Sequence, residues 1–369
     1  MRTELIDYGW GKPCESFEVV IHHNDADGYC AAGLISVYRR FAAGPLGQTL
    51  FVEAAYGKEN EILSKLPSIA GELMGEERVS RVSRLYIVDF SLPCEILEAL
   101  AKQLGNPVVI YLDHHATAKQ MLEDWARSNY TSFSGESSAT IYSDKRSGCR
   151  LTMDYILKET EAEDVFCKSC GETSRVKDVL RKAGKVIYYC NDYDLWTHSD
   201  PASMLFVTGI SLENPSVREW ENLLCCGDTK YYETMGSALI KQQKKFAGDY
   251  VSNRRPEHEK YLHYDGHKIA VLNIPFSWTN IVSDEILKLG AADAVLSYYI
   301  NGIHDGVKIS MRSAQKEGCL NCGKLMEQYF HGGGHINAAG GRSPSYECFL
   351  RVLRSWEILG RKYEPEKPV

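Results

Sequence analysis

The sequence predicts an α/β protein, with a parallel, doubly wound sheet in a first domain and a smaller C-terminal α/β domain. Three observations favour this class. Short, apolar, β-type runs alternate with helix-like stretches through the first half of the chain. Those runs are hydrophobic almost without interruption, as in strands that are buried on both faces. The length of 369 residues is too great for one small domain and suggests two.

The strands of the first domain are predicted at apolar runs separated by helical stretches. They are Phe17–Ile21, Leu50–Ala54, Arg84–Val88, Val108–Leu112 and Val186–Cys190. The clearest helix is Leu92–Leu104, with Ser91 as its predicted N-cap and Gly105 after its end. Strands that alternate with helices imply right-handed crossovers and a parallel sheet.

The last third of the chain predicts the second domain. A helix from Thr229 to about Val251 leads into a linker, residues 252–256. The elements that follow are β-type runs and one helix, at Lys268–Ile274, Ala294–Tyr299, Val307–Met311 and Gly323–Phe330. We therefore expect a first domain at residues 1–213, a connecting helix and linker at 214–255, and a second domain at 256–369.

Composition and charge restrict the class of protein. Hydrophobic residues make up 44% of the chain, which is ample for a sizeable core. No apolar run approaches the roughly 20 residues that span a bilayer, and the first residues lack the pattern of a signal peptide. We expect a cytoplasmic protein without a membrane partner. A formal net charge of -7 and no long basic run argue against tracking long duplex DNA and fit a small phosphorylated substrate or a short oligonucleotide.

Twelve cysteines are scattered at irregular spacing. Cys167 with Cys170, and Cys319 with Cys322, could together make a tetrahedral zinc site. The two pairs lie about 150 residues apart, and neither has the surroundings of a zinc knuckle. Coincidental spacing among reduced, mostly buried thiols is the favoured interpretation.

Acids and histidines follow four of the five predicted strands of the first domain. These segments are residues 22–28, Asp89, residues 113–115 and residues 191–194. Ligands of open parallel sheets bind outside the carboxyl ends of the strands, so these side chains should converge. So many carboxylates and imidazoles crowded together would perturb one another's pKa strongly unless cations neutralised the acids. Mixed carboxylate and imidazole ligands without thiolate suit manganese or magnesium, with iron or cobalt as alternatives.

The motifs resemble those of a known superfamily when they are taken in order. His23-x-Asp25-x-Asp27-Gly28, then Asp89, then Asp113-His114-His115, then Asp192 resemble the successive motifs of the DHH phosphoesterases. Arg312-Ser313, then Gly332-Gly333-Gly334-His335, then Ala338-Ala339-Gly340 resemble the DHH-associated C-terminal domain. Members include RecJ-type exonucleases, oligoribonucleases, 3'-phosphoadenosine 5'-phosphate phosphatases, cyclic-dinucleotide phosphodiesterases and manganese pyrophosphatases.

The resemblance implies a site with two divalent cations, most simply Mn²⁺, with Mg²⁺ or Co²⁺ as alternatives. His23 and Asp25 are expected on one metal, Asp89 between the two, and a second set on the other metal: Asp27, His114 and Asp192. His115 is expected to face the phosphate as a hydrogen-bond donor or acid, and Asp113 to orient His114 or bond backbone amides. Asp194 is an alternative to Asp192, which we prefer because it lies closer to the predicted strand. His22 should point to the other side of that first strand.

The resemblance also implies a phosphate-binding group in the second domain, formed by Arg312, Ser313, Gly332, Gly333, Gly334 and His335. A glycine run can alternatively be a tight connection between a helix and a strand. His331 departs from the pattern, because many members carry a further glycine there.

The expected function is hydrolysis of phosphodiesters in short oligonucleotides to nucleoside monophosphates, in a cleft that domain closure completes. Expected partners are short single-stranded RNA or DNA, or a small nucleotide, and a homodimer is possible. The alternatives are a cyclic-dinucleotide phosphodiesterase, a 3'-phosphoadenosine 5'-phosphate phosphatase, and a nucleotide-binding protein without turnover.

Overall fold

A computed structural model of the chain describes residues 1–8, 16–41, 47–78, 82–115, 118–119, 139–166, 172–253, 261–300 and 306–361. The chain divides into two compact units, Met1–Ser237 and Ala238–Val369. The division falls inside the long helix Lys230–Ser252, which is where the sequence predicts a connecting helix. In the described part of the chain, no helix combines the length and apolar character that crossing a bilayer requires.

The first unit alternates strands with helices over its first half and is helical afterwards. Its strands are β1 Thr3–Asp7, β2 Ser16–His23, β3 Gly47–Ala54, β4 Arg84–Val88, β5 Val108–Asp113 and β6 Ala139–Tyr142. Its helices are α1 Ala26–Phe41, α2 Glu59–Arg78, α3 Cys94–Gln103, α4 Gly148–Phe166, α5 Glu172–Asp194, α6 Pro201–Glu213, α7 Val217–Cys226 and the first part of α8 Lys230–Ser252.

The strands of this unit form one sheet in the order β1-β3-β2-β4-β5-β6. The contacts of β2 with β3 and β4, of β4 with β5, and of β5 with β6 are parallel, and only the edge strand β1 runs antiparallel to β3. The predicted parallel sheet is therefore confirmed, with an antiparallel edge that the sequence analysis did not include. Strand order reverses at β2, because β3 lies on one side of it and β4 on the other.

Two hydrophobic cores lie on the two faces of this sheet. Val20 and Tyr86 belong to the core packed by α1, α4, α5, α6 and α7. Their chain neighbours Val19, Ile21 and Leu85 belong to the other core, which α2 and α3 cover. Successive side chains of a strand point to opposite faces, so strands that are apolar throughout require helices on both sides. The doubly wound architecture is confirmed.

The predicted strand Val186–Cys190 is wrong, because these residues form the last part of helix α5. A five-residue apolar run fits a strand and a buried helix segment equally well. The two are distinguished only by the spacing of buried residues along a longer segment. The buried apolar positions of α5 mostly recur at intervals of three or four residues: Val176, Val179, Leu180, Ala183, Val186, Ile187, Tyr189 and Cys190. Within the run, Tyr188 is exposed, as one face of a helix requires and a buried strand does not.

The helix predicted at Leu92–Leu104 is present as α3, but its start differs from the prediction. It begins at Cys94 with Pro93 as its N-cap, and no side chain caps it. Ser91 donates its hydroxyl to the Asp113 carboxylate instead, at 2.8 Å. The predicted cap therefore serves the candidate site.

The second unit contains the second sheet. After the rest of α8, its elements are β7 Tyr261–Tyr264, β8 His267–Asn273, α9 Thr279–Lys288, β9 Ala294–Ile300, β10 Val307–Ser313, α10 Cys322–Phe330, β11 Gly333–Gly334, β12 Ala338–Ser343 and α11 Tyr346–Arg361. Strand order is β11-β12-β10-β9-β8-β7. β8 and β9 are parallel, and the other neighbours are antiparallel. The smaller C-terminal α/β domain is confirmed.

Candidate metal centre

The candidate site lies where the order of strands in the first sheet reverses. His23 is the last residue of β2, Asp89 follows the last residue of β4, and Asp113 is the last residue of β5. The crevice outside the carboxyl ends of strands at such a reversal is the usual ligand site of an open α/β sheet. Parallel pairing of β2 with β4 and of β4 with β5 brings these three ends together.

His23 and Asp25 form the first part of the site. His23 Nδ1 lies 2.7 Å from Asp25 Oδ2. The other oxygen of Asp25 accepts the backbone N–H of Gly28 at 2.9 Å, which is the bond of an N-cap at the start of α1. Gly28 has no room for a side chain, because a Cβ there would lie 2.3 Å from the His23 carbonyl oxygen. The cap and the close turn together hold the Asp25 carboxylate beside His23.

Asp89 is buried at the centre of the site. Its φ of 55° lies in the left-handed region, which a non-glycine residue adopts at a cost. Its backbone N–H donates to the Leu112 carbonyl at 2.9 Å. Gly148, at the start of α4, packs against its side chain so closely that a Cβ at Gly148 would lie 2.3 Å from Asp89 Cβ. The start of α4 therefore fixes the position of the Asp89 carboxylate.

Asp27 is buried and held by the same helix start. Its Oδ1 accepts the Ser147 hydroxyl at 2.7 Å, and its Oδ2 accepts the backbone N–H of Cys149 at 3.2 Å. The Ser147 N–H in turn donates to Asn191 Oδ1 at 3.1 Å, which ties the start of α4 to α5. The sequence analysis did not identify Ser147, Gly148 or Asn191. A helix start at residues 147–148 is readable, but its contact with Asp27, 120 residues earlier, is not.

Asp194, and not Asp192, contacts the histidine of the DHH motif. Asp194 Oδ2 lies 3.1 Å from His114 Nε2, and the same nitrogen lies 3.1 Å from Asp89 Oδ1. The sequence-based preference for Asp192 assumed that a strand ends at Cys190. Because the segment is helical, the nearness of Asp192 to that predicted strand end carries no information about which acid faces the site.

The Asp192 carboxylate instead holds together the 195–200 turn, which we define as residues Leu195–Asp200 after α5. Its Oδ1 accepts the Thr197 hydroxyl at 2.6 Å, the Ser199 N–H at 2.9 Å and the Ser199 hydroxyl. Its Oδ2 accepts the Ser203 hydroxyl at 2.5 Å and the Asp200 N–H at 3.3 Å. Burial favours the neutral acid, but the bonds from Ser199, Ser203 and Thr197 outweigh it and hold the pKa of Asp192 well below its usual value.

Donor atoms that could bind a metal ion form three groups within the described residues. The first comprises His23, Asp25 and Asp89, the second Asp27, His114 and Asp194, and the third Asp89 and residues 113–115. In each group the donor atoms lie within 4.8 Å of one another. The contact between Asp89 and His114 links the first two groups, so Asp89 lies where one carboxylate faces both.

The charges in the site oppose one another. Burial, and then the nearby carboxylates of Asp27 and Asp25, raise the pKa of Asp89 well above its usual value. Burial and the same two neighbours raise the pKa of Asp194 to about 8. Burial, and then the neighbouring His115, lower the pKa of His114 to about 4, so its imidazole is neutral at neutral pH. Neutral imidazole and crowded carboxylates are what a bound cation would stabilise.

The buried polar atoms at the centre fit this requirement. Both carboxylate oxygens of Asp89, His114 Nε2 and Asp194 Oδ2 are buried, and apart from the 3.1 Å contacts of His114 Nε2 with the two acids they have no hydrogen-bond partner among the described residues. Such atoms are costly unless a ligand satisfies them. The residues present therefore fit a divalent cation bound by oxygen and nitrogen.

Asp113 and His115 form a separate pair at the edge of the group. Asp113 Oδ1 lies 2.7 Å from His115 Nδ1 and accepts the backbone N–H groups of His114 and His115 at 2.7 and 3.2 Å. Although burial lowers the pKa of His115, the bond to Asp113 raises it above its usual value. Asp113 therefore orients the His115 ring and the backbone amides. From the sequence, the ring that Asp113 orients was predicted to be that of His114.

An aromatic group borders the two histidines. Tyr56 lies 5.3 Å from the His23 ring, 5.6 Å from the His115 ring and 4.8 Å from Phe90, measured between ring centres. Its hydroxyl accepts the Ser91 N–H at 3.2 Å. Tyr56 follows β3, and residues 55–58 directly after that strand include no acid or histidine, so the pattern of strand ends did not indicate it. His22 is buried with its ring 4.6 Å from Tyr29, away from the donor atoms.

In the second unit, Arg312 and Ser313 are the last residues of β10. The Arg312 guanidinium donates to Asn280 Oδ1 at 2.7 Å and to Ser310 Oγ at 3.0 Å. Ser313 Oγ accepts the Asn337 side-chain N–H at 3.1 Å. The sequence analysis did not identify Asn280 or Asn337 as supports of these two residues.

The glycine run has a structural requirement at two of its positions. A Cβ at Gly332 would lie 2.0 Å from the Gly340 carbonyl, and Gly334 has a φ of 143° beside Ala338. Gly333 meets nothing within 4 Å and has no such requirement among the described residues. His335 is exposed, and its N–H donates to the Ala338 carbonyl at 2.8 Å. His331 ends α10 in the left-handed region, with a φ of 46°, where a glycine would be free of strain.

The zinc hypothesis concerns two cysteine pairs, of which Cys167 and Cys170 lie outside the described residues. Cys322 is buried and Cys319 half-buried in the second unit. Cys319 Sγ accepts the Asn337 side-chain N–H at 3.3 Å.

Comparison with solved structures finds several that are similar to this chain. RecJ from Thermus thermophilus in complex with Mn²⁺ is 14% identical, with a TM-score of 0.50, over 95% of this chain and 52% of the RecJ chain. An exopolyphosphatase-related protein from Bacteroides fragilis is 14% identical, with a TM-score of 0.43, over 94% of each chain. The pGpG-specific phosphodiesterase PggH from Vibrio cholerae is 11% identical, with a TM-score of 0.45, over 94% of this chain and 99% of PggH.

At identities this low, structural similarity establishes only the fold, and the evidence for the fold is the match to RecJ. The chain spans about half the length of that RecJ and has its two-domain α/β fold. RecJ-type proteins are among the DHH members, so the fold that the DHH resemblance implies is confirmed. No protein-family model matches the chain. No curated protein matches it either.

Proposed function

We propose that the chain is a phosphodiesterase dependent on divalent metal ions that hydrolyses short oligonucleotides to nucleoside monophosphates. The observation that supports this proposal most directly is the pair of donor groups joined at Asp89. One side has His23 and Asp25, the other has Asp27, His114 and Asp194, and Asp89 lies within reach of both. Two adjacent cation sites that share a carboxylate are typical of enzymes that displace phosphoryl groups in line.

In this proposal two divalent cations occupy these groups, and Mn²⁺ is the first candidate. Oxygen and imidazole donors without thiolate favour Mn²⁺ or Mg²⁺, with Co²⁺ as an alternative. The solved RecJ structure of similar fold is a complex with Mn²⁺, which supports the same choice here. When bound, the cations would neutralise the phosphate and lower the pKa of a bound water. Asp194 replaces Asp192 as the expected ligand of the second group.

The proposed role of His115 follows from its contact with Asp113. Asp113 engages the imidazole through Nδ1 at 2.7 Å, so Nε2 is the nitrogen left to meet a phosphate. A proton held at Nε2 can be donated to the leaving oxygen of the ester. The contact with Asp113 that raises the pKa of His115 also favours the protonated ring that this donation requires. Asp113, buried and bonded to Ser91, keeps the ring in one orientation.

The second domain is proposed to bind the phosphate that is not cleaved. Arg312 supplies a planar pair of donors, and Asn280 and Ser310 hold it from its own domain. Ser313, the glycine run 332–334 and the exposed His335 are the other proposed contacts. Gly333, which no packing requirement explains, is where bare backbone could approach a phosphate. The proposed boundaries are 1–213 for the catalytic domain, 214–255 for the connection and 256–369 for this domain.

A substrate panel tests the proposal. The protein is incubated with Mn²⁺ and, separately, with dinucleotides, five-mers, cyclic dinucleotides, 3'-phosphoadenosine 5'-phosphate and pyrophosphate. We expect nucleoside monophosphates from the dinucleotides and five-mers, and none in EDTA. Cleavage of only a cyclic dinucleotide or of 3'-phosphoadenosine 5'-phosphate would contradict the proposed substrate class and identify the compound cleaved as the substrate. Binding without cleavage of any compound would indicate a nucleotide-binding protein instead of an enzyme.

A further inference from the structure

The 195–200 turn exposes a tryptophan directly after the candidate ligand Asp194. Trp196 is 59% exposed, whereas Trp220 and Trp356 are buried. An indole buries a large apolar area when it is packed, so leaving one in water forgoes that stabilisation. A local structure that holds an indole outward therefore calls for an explanation.

The backbone of this turn is strained at the tryptophan. Trp196 has a φ of 55° and His198 a φ of 45°, both in the left-handed region that bulky residues avoid. Strain of this kind persists only where the surroundings over-determine the conformation. Here the Asp192 carboxylate supplies that constraint, through its bonds to Thr197 and Ser199 on the same turn.

The indole contacts the ring of His198, which in turn contacts the ring of Tyr193. The His198 ring lies 5.3 Å from the Trp196 ring at 81° and 5.8 Å from the Tyr193 ring at 79°, measured between ring centres. These are edge-to-face contacts, which limit how the rings rotate. The backbone N–H of Trp196 donates to the Tyr193 carbonyl at 3.1 Å, which fixes the backbone and not the ring. The backbone of Trp196 is thus held by the turn, and its exposed ring by the contact with His198.

Trp196 stands close to the donor groups along the chain. Asp194, two residues earlier, lies 3.1 Å from His114 Nε2 through its carboxylate. Cα atoms two residues apart are separated by at most about 7.6 Å. The backbone that carries Asp194 into the site therefore places the Cα of Trp196 within that distance of the Cα of Asp194.

We propose that Trp196 is a stacking platform for a nucleobase of the substrate, next to the phosphodiester that is cleaved. This inference rests on the proposed function and adds to it the part of the substrate that is recognised in the first domain. An exposed, fixed ring suits the flat face of a base, and every base offers such a face. Pyrophosphate or a sugar phosphate offers none, so the platform selects nucleotides over other phosphate esters.

Kinetics on paired substrates test the platform. One substrate is a dinucleotide, and its partner has one base at a time replaced by an abasic residue. Trp196→Ala should raise KM for the intact dinucleotide roughly 5- to 100-fold, the loss expected for one base–aromatic stack, with kcat little changed. For one of the two abasic substrates, Trp196→Ala should leave KM unchanged, because that substrate lacks the base that stacks on the indole. Trp196→Phe keeps a ring and should recover most of the loss.

Tyr231→Ala is the matched control, because Tyr231 is an aromatic residue that is 58% exposed, on α8 of the same unit. It should leave KM unchanged for every substrate. An equal rise of KM on the intact and both abasic substrates in Trp196→Ala would show that the residue only supports the turn. No change of KM in Trp196→Ala would contradict the proposal that a base stacks on Trp196.

A binding measurement separates this inference from the proposed function. Intrinsic tryptophan fluorescence is recorded with AMP and with ribose 5-phosphate in the presence of Mg²⁺, so no turnover is needed. We expect quenching by AMP alone, and its loss in Trp196→Phe. Quenching by AMP in a protein that cleaves none of the panel would contradict the proposed function but support base stacking on Trp196. Cleavage of dinucleotides without any AMP-specific quenching would overturn the platform and keep the function.

Discussion

At the scale of single residues, the site concentrates charge that the fold alone does not neutralise. Asp89 is buried in a left-handed conformation, and its carboxylate faces other carboxylates and, at 3.1 Å, the His114 ring. Residues that carry such costs are usually retained for their ligand. The metal-free protein should therefore gain stability when the charge of Asp89 is removed.

Asp89→Asn tests this expectation. Because the pKa of Asp89 is raised in the folded protein, its ionisation costs stability at every pH above its unfolded pKa. In EDTA at pH 7 the variant should be more stable by about 1 kcal/mol or more in urea unfolding. It should lose the rise of Tm on adding Mn²⁺ and nearly all hydrolysis. Asp178→Asn, at an exposed position on α5, is the control and should change none of these.

Asp192 and Asp194 should respond in opposite ways to the same substitution. Asp194→Asn removes a proposed ligand and should abolish the Mn²⁺-dependent rise of Tm without lowering the Tm in EDTA. Asp192→Asn weakens a buried acceptor of several hydrogen bonds and should cost about 2 to 3 kcal/mol of stability in EDTA. Thermal unfolding with and without Mn²⁺ separates the two. The reverse pattern would restore Asp192 as the ligand.

Residues of the candidate site could be predicted from the sequence where polar side chains directly follow an apolar strand. His23, Asp25, Asp27, Asp89 and His114 lie together in the structure as donor groups. The choice between Asp192 and Asp194 was not readable, because it depends on where a helix ends and which way its last turn points. The support from Gly148 and Ser147 depends on tertiary packing that no spacing encodes.

At the scale of elements, the start of α4 is the part of the fold that the donor groups depend on most. Gly148→Ala would place a Cβ 2.3 Å from the side chain of Asp89. We expect loss of the Mn²⁺-dependent rise of Tm and a fall of kcat/KM of at least tenfold, as for other displacements of about 1 Å. The measurements are thermal unfolding with Mn²⁺ and hydrolysis of a dinucleotide.

Gly184→Ala is the matched control for that variant. Gly184 lies inside α5, and a Cβ there meets nothing within 4 Å. Alanine favours a helix interior over glycine by about 0.5 to 1 kcal/mol, so this variant should be more stable and fully active. If Gly148→Ala behaved like Gly184→Ala, the close packing of α4 on Asp89 would be unimportant for the site.

Strands of the first sheet were predictable where both faces are buried, since β2, β4 and β5 are mostly apolar and are buried along nearly their whole length. The edge strands β1 and β6 were not predicted. Edge strands have fewer neighbours and therefore a weaker hydrophobic pattern. The false strand at Val186–Cys190 arose from the opposite situation, a buried helix whose apolar face happens to give a continuous run. Length and the exposure of Tyr188 distinguish the two only once the whole of α5 is considered.

At the scale of the whole molecule, the two units have different proposed tasks. Arg312 and His335 belong to the second unit, and the donor groups to the first. Substituting either of the two by Ala should raise KM by about tenfold, with kcat and bound Mn²⁺ little changed. Steady-state kinetics and metal analysis of the purified variants check this. Loss of Mn²⁺ from His335→Ala would mean that the glycine-rich segment supports the metals.

Substrate length follows from the charge of the chain. A net charge of -7 without a basic run implies few phosphate contacts, hence little affinity gained from each added nucleotide. We expect kcat/KM to be highest on di- to tetranucleotides, with a salt slope corresponding to about two or three neutralised phosphates. Hydrolysis of single strands from two to about twenty nucleotides at two salt concentrations measures both. Efficiency that rises with length and falls steeply with salt would instead indicate a processive nuclease.

The turn organised by Asp192 also determines which changes of this protein are easy to make. Asp194 and Trp196 lie two residues apart on one backbone segment, whose shape depends on a carboxylate that contacts neither the proposed metals nor the proposed substrate. An inserted or deleted residue between them would alter cation binding and base recognition at once. Point changes at 196 and 198, made while Asp192 and Asp194 are kept, would alter the proposed base-stacking surface and leave the proposed ligand Asp194 in place. Those two positions are where a library for altered nucleotide preference should be built.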